Sequence, residues 1–146
     1  DSLNNFISCK HSDDGEHAEL GQIWAELQNL MWQNVGVLRT GLKLEKTLLR
    51  LQSIRANLEE VIPAKGEAFN LTLQDWFDLR AGLLTAEAVT LSALNRTESR
   101  GAHQREDFTE TKESFERNQS ISLDMNGSLN SSFVTTKNFS ELENPR

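Results

Sequence analysis

The sequence predicts a mainly α fold, an antiparallel three-helix bundle followed by a C-terminal extension able to form a β-hairpin. Three observations predict it. Apolar residues recur at three- and four-residue steps in three separate stretches, and turn residues separate those stretches. After His103 the helical period gives way to a two-residue alternation. The 146 residues are enough for one domain with a core. On this reading, residues 1–17 are a linker or terminus and 18–108 form the bundle. Residues 109–146 are a polar extension, with a hairpin at 119–134 and a flexible tail.

The first helix is expected from about Ala18, with Leu20, Ile23, Trp24, Leu27, Leu30 and Met31 on one face. Met31 and Trp32 could touch a cofactor, but an apolar stripe at this spacing favours core packing for both. The second helix is expected after Thr40-Gly41, with Thr40 as its N-cap. Leu44, Leu48, Leu51, Leu58 and Ile62 form its stripe, widened by Leu49 and Ile54, and Pro63 and Gly66 end it. Thr72-Leu73-Gln74-Asp75 reads as a capping box for the third helix. Its main apolar face is expected at Leu73, Trp76, Phe77, Leu84, Ala88 and Leu91, with Leu83 and Leu94 beside it. Gly82 costs about 1 kcal/mol relative to alanine inside a helix, so it should mark close packing. In the extension, residues 118–124 alternate polar and apolar, Met125-Asn126-Gly127 supplies a turn, and 128–134 can return beside them.

Composition removes several function classes. A formal charge of −7 and a pI near 5.0 make a poor nucleic-acid binder, because counterion release needs clustered Lys and Arg. No apolar run approaches the roughly 20 residues that span a bilayer. Cys9 is the single cysteine, which leaves no intrachain disulfide. Cys9, His11 and His17 match no closed zinc spacing, so no metal site is expected. No glycine-rich phosphate loop is present, and with it goes any basis for dinucleotide binding by these residues alone. The chain opens on Asp1 without a secretory pattern and is expected to be a piece of a longer protein.

The segment from Asn95 to Phe108 gathers Arg96, Glu98, Arg100, His103, Arg105, Glu106 and Asp107 around Gly101. Gly101 can take φ > 0 and turn the chain, while guanidinium forks and carboxylates so close together suit charge-assisted bonding. Glu98-Ser99-Arg100-Gly101-Ala102-His103, with Arg96 before it and Arg105 and Asp107 after it, resembles the C-terminal segment of one flavoprotein family. That family includes the flavoprotein subunits of succinate dehydrogenase and fumarate reductase, and L-aspartate oxidase. Leu30-Met31-Trp32-Gln33-Asn34-Val35-Gly36-Val37-Leu38-Arg39-Thr40 resembles the family's Met-Trp, Val-Gly and Arg-Thr segment. Gln104 departs from the family's usual aromatic, and Thr109, Thr111 and Lys112 depart from its usual proline and acidic residues.

The resemblance implies a three-helix domain at the C-terminal end of an FAD-dependent oxidoreductase acting on a small dicarboxylate. It packs on a flavin-binding domain of the same chain and is inactive alone. FAD would be held by that other domain, and no catalytic, cofactor-binding or metal residue is carried here. Arg96, Glu98, Arg100, Gly101, His103 and Arg105 would form a domain-docking elbow, with Arg96 and Arg100 reaching the flavin domain, Glu98 bracing one of them and His103 at the seam. An iron–sulfur subunit is an implied partner, and the implied location is cytoplasmic, peripheral on the membrane's cytoplasmic face through partner subunits. An L-aspartate oxidase domain is the alternative within the family. Outside it stand a non-catalytic helical interaction module and a secreted glycoprotein, since Asn70, Asn95, Asn118, Asn126, Asn130 and Asn138 open glycosylation triplets.

Overall fold

A computed structural model describes residues 13–60 and 70–135, with the side chains of α1 described from Glu19 onward. Helix α1 runs Asp13–Asn34, α2 Gly41–Glu60 and α3 Leu71–Asn95. A two-residue strand β1, Leu38–Arg39, precedes α2, and β2, Gln104–Arg105, follows α3. A 3₁₀ turn at Glu113–Phe115 leads into β3, Asn118–Leu123, and β4, Leu129–Val134.

The apolar period starts near Leu20, yet α1 begins at Asp13, earlier than periodicity indicates. Thr40 caps α2 as expected, its Oγ1 accepting from the Lys43 amide at 3.3 Å. The cap of α3 is a correction: Asn70 Oδ1 accepts from the Leu73 amide at 2.9 Å, two residues before the Thr72 box. Ile62, Pro63 and Gly66 lie outside the described residues, as do Cys9 and His11.

The core joins all three helices. Leu20 and Leu27 of α1 meet Leu51, Ile54 and Leu58 of α2 and Trp76, Leu79, Leu83 and Ala86 of α3. A smaller cluster of Val35, Leu44 and Ala93 closes the other end. Met31 packs against both clusters, but Trp32, expected in the core beside it, is exposed. The pairings give the direction of each helix. Trp24 meets Gly82, and Met31 meets Thr90, so α1 and α3 run the same way. Arg50 of α2 bonds Glu26 of α1, and the Trp76 indole donates to the Leu58 carbonyl, so α2 runs opposite to both. That indole bond satisfies one of the last carbonyls of α2, which have no partner inside the helix.

Gly82 marks the close approach its position suggests, since a Cβ there would lie 3.1 Å from the Trp24 ring. The buried face of α3 is Thr72, Trp76, Leu79, Leu83, Ala86, Glu87, Thr90 and Ala93. This face is rotated from the expected one, and Phe77 is exposed. Threonines account for the rotation. Thr90 donates to the Ala86 carbonyl at 2.7 Å, so its hydroxyl is satisfied within the helix and its methyl can enter the core. In α2, Leu49 is exposed and Thr47 buried, which corrects the expected stripe at one step.

The expected hairpin is present. Strands β3 and β4 pair antiparallel from Asn118↔Val134 to Leu123↔Leu129. Asp124 Oδ1 accepts from the Asn126 and Ser128 amides, and Gly127 takes φ +77° in the turn between the strands. The hairpin lies against α3, so the two strands do not stand alone.

Candidate functional site: an arginine-rich elbow

The chain leaves α3 at Arg96 and doubles back at Gly101. Arg100 and His103 exchange backbone hydrogen bonds of 2.8 and 3.0 Å, with Gly101 at φ +57° between them. A residue with a Cβ is strained at that φ, so glycine permits this two-residue turn. The return strand β2 pairs in parallel with β1, Leu38↔Gln104 and Arg39↔Arg105. The two sequence blocks singled out above, far apart in the chain, are therefore joined side by side.

Side chains complete the joint. Arg105 is buried, and its Nη1 donates to the carbonyls of Ala93 and Leu94 at 2.9 and 3.1 Å, capping the unpaired C-terminal end of α3. Its Nε and Nη2 grip Asp107 in a two-point contact, both at 2.8 Å. Asp107 Oδ2 in turn accepts from the Gly41 amide at 2.7 Å, at the first turn of α2. Arg105 holds the Asp107 carboxyl well below its ordinary range; burial opposes this and the Gly41 amide assists it. Gly41 has little room to change, because a Cβ there would lie 3.0 Å from Asp107 Oδ2 and 3.1 Å from Arg105 Nη2.

His103 sits between Arg39 and α3. Arg39 Nη1 lies 2.7 Å from His103 Nδ1, and His103 Nε2 lies 3.0 Å from the Arg96 carbonyl. Arginine can only donate, so Nδ1 must accept and Nε2 must carry the proton that bonds the carbonyl. The imidazole is therefore neutral. Burial pushes its pKa below the ordinary value, and the charges of Arg39, Arg105 and Arg96 add to the effect, outweighing the Arg96 carbonyl.

Glu98 is fully buried and accepts from Arg96 Nη1 at 2.6 Å, Arg100 Nε at 3.0 Å and Nη2 at 3.3 Å, and the Lys112 amide at 2.8 Å. Burial opposes its ionisation, but hydrogen bonds from Arg100, the Lys112 amide and Arg96 prevail and bring its pKa down to about 2. Arg96 also donates to the Phe115 and Arg117 carbonyls and lies 5.7 and 5.6 Å from the Phe115 and Phe133 ring centroids. The hairpin is thus tied to the elbow through one guanidinium. Arg100 also donates to the Lys112 carbonyl.

Glu98 braces both Arg96 and Arg100, and Arg96 and Arg105 also donate to this chain's own backbone carbonyls, so these residues build the elbow. Gly101 is exposed at the tip, Arg100 is partly exposed, and His103 is half-buried. Arg96, Arg100, His103 and Arg117 border an open groove of about 370 Å³ beside the hairpin. Arg39 and Gly41 are members of the site that the sequence reading misses. The Arg39-Thr40-Gly41 run closing the first block is the available signal. No group of His, Cys, Asp and Glu suited to a metal ion occurs among the described residues. No described helix is long and apolar enough to cross a membrane.

A bundle closed by this elbow defines a helical domain whose charged residues serve architecture. Residues 24–141 match the model of the fumarate reductase flavoprotein C-terminal family, and the chain belongs to that family. An uncharacterised FAD-dependent oxidoreductase of Methanocaldococcus jannaschii is 41% identical over 93 residues, 64% of this chain and 16% of that protein. One subunit of the CoM/CoB fumarate reductase of Methanothermobacter marburgensis is 38% identical over 96 residues, 66% of this chain and 18% of its own length. An L-aspartate oxidase of Pseudomonas aeruginosa is 29% identical over 108 residues, 74% of this chain and 19% of that enzyme. The chain thus spans under a fifth of the length of these curated relatives. The fold matches E. coli quinol fumarate reductase with a TM-score of 0.76 at 24% identity, over 95% of this chain and 24% of that one. It matches the apo Sdh1 complex of Mycobacterium smegmatis with a TM-score of 0.67 at 29% identity, over 85% of this chain and 23% of that one.

Proposed function

We propose that this chain is the buttress of an FAD-dependent oxidoreductase that exchanges a hydride with a four-carbon dicarboxylate, succinate–fumarate chemistry first. The single observation that carries the reading is the joining of both family-like blocks into one rigid corner, Arg39–His103 on one side and Gly41–Asp107 on the other. Such a corner suits a body that another domain leans on. FAD would belong to the rest of the polypeptide and supply the redox step there, while this domain contributes shape and rigidity. Arg100 and Gly101, the outward part of the elbow, meet the flavin-binding domain. An iron–sulfur subunit and a cytoplasmic, membrane-peripheral location belong to the same reading, supported by the complexes among the structural neighbours. The test is to express the complete gene, record a flavin absorption spectrum and assay succinate, fumarate and aspartate. Bound flavin with succinate–fumarate turnover supports the reading. Flavin with aspartate oxidation assigns the chain to the L-aspartate oxidase branch, and a colourless protein contradicts both.

A further inference from the structure

The groove beside the hairpin is lined by polar groups that the fold does not spend. Arg117 immediately precedes β3, Asn118 opens that strand, and both are exposed. The Arg117 carbonyl accepts from Arg96, but its guanidinium makes no hydrogen bond or ion pair among the described residues. The Asn118 side-chain amide is equally unengaged among them. Arg100 bonds through Nε and Nη2, which leaves Nη1 open. Charge decides what such a groove attracts. Arg96, Arg100 and Arg117 line it, against the buried Glu98 that holds the first two and the exposed Glu116. Glu116 forms no contact ion pair with any of the three. Positive charge is therefore in local surplus, within a chain whose net charge is −7. Guanidiniums that share a groove repel one another, and an anion between them relieves that repulsion.

We propose that the groove between the elbow and the start of β3 binds a small oxyanion, a phosphate or a carboxylate, with Arg117 and Asn118 as its main donors and Arg100 closing it from the elbow side. Its volume of about 370 Å³ lies at the lower end of the range of about 300–1,000 Å³ common to ligand pockets, which suits a small ligand. A guanidinium fork meets two oxygens of either anion at once. The bound anion would join the Gly101 turn to the base of the hairpin, so it should raise the stability of the folded chain in proportion to its occupancy. Neither the Arg117 nor the Asn118 side chain takes part in the joint between the two sequence blocks, so both can be changed without disturbing it.

Equilibrium dialysis of the complete gene product against labelled inorganic phosphate and, separately, labelled succinate tests the site. Saturable uptake at millimolar ligand should weaken about ten-fold or more in Arg117→Gln, which removes hydrogen bonds to a charged group. Glu116→Gln deletes the competing carboxylate and should strengthen the same uptake about two-fold or more. Without anion both variants should melt with the wild type, since both side chains are exposed and unbonded. Comparing proteins that differ at one groove residue subtracts any succinate held at a reaction site elsewhere, so the result does not depend on the flavin reading. Arg117-dependent uptake of phosphate alone fixes the ligand as tetrahedral, and of succinate alone as a carboxylate; either supports the site. Uptake equal in the wild type and Arg117→Gln would overturn it, as would uptake that rises with ligand without saturating.

Discussion

Arg39 donates to His103 across 2.7 Å, joining the entrance of α2 to the turn that follows α3. The contact works only while the imidazole is neutral, because a second cation there would face Arg39, Arg96 and Arg105. One side-chain pair thus ties two distant parts of the chain together and gives the joint a pH dependence.

That dependence has a definite sign. The folded pKa of His103 lies below the unfolded value, so the unfolded chain binds the proton more readily. The contribution to stability is complete above about pH 6.5 and is lost as pH falls below it. Melting temperature should decline as the pH falls below about 6.5, and His103→Gln should flatten that decline. An unchanged profile in the variant would place the titration elsewhere.

Acid should then act a second time, through Glu98. Its folded pKa, about 2 against an ordinary 4.5, means its contribution is present above about pH 4.5 and lost as pH drops toward 2. Glu98→Gln removes the charge that holds Arg96, Arg100 and the Lys112 amide, and should cost about 2–4 kcal/mol in urea unfolding. Hydrogen exchange should rise in β3 and β4, since Arg96 links the elbow to Phe133. A loss confined to α1 and α2 would contradict this wiring.

A second buried carboxylate offers a separate test. Glu87 is 1% exposed inside the bundle and accepts from Arg55 Nε at 2.6 Å. Arg55→Ala leaves that charge unpaired and should cost about 3–5 kcal/mol. Replacing both, Arg55→Leu with Glu87→Leu, should recover most of the loss. Unfolding curves for the single and double variants check this, and a double variant no better than the single would contradict it.

Gly41→Ala probes the crowded start of α2. The added methyl would press on Asp107 Oδ2 and Arg105 Nη2, whose two-point contact cannot yield without exposing the α3 carbonyls. We expect a net loss of about 1–2 kcal/mol despite alanine's better helix propensity. Increased stability would show that the contact has room to shift.

The helices, the Thr40 cap, the close approach at Gly82 and the hairpin are legible in the sequence because periodicity and turn chemistry are local signals. The face of α3 is not, because Thr72 and Thr90 look polar on paper, while in a helix a hydroxyl can bond its own backbone and turn its methyl inward. Trp32 reads as core because its neighbour Met31 belongs there, yet one residue is about 100° of rotation on a helix. The charged cluster near Gly101 is visible as a cluster, but its direction is not. Whether an arginine reaches outward or caps its own helix depends on where the chain returns, and that return is set by the pairing of β1 with β2.

The most direct test of the joint between the two blocks is a double-mutant cycle on Arg39→Met and His103→Leu, read by urea unfolding of the chain. A coupling energy of about 1 kcal/mol is expected near neutral pH, shrinking at an acidic pH low enough to protonate the imidazole. Losses that simply add, within about 0.3 kcal/mol at both pH values, would show that the two blocks are not held to each other through this pair.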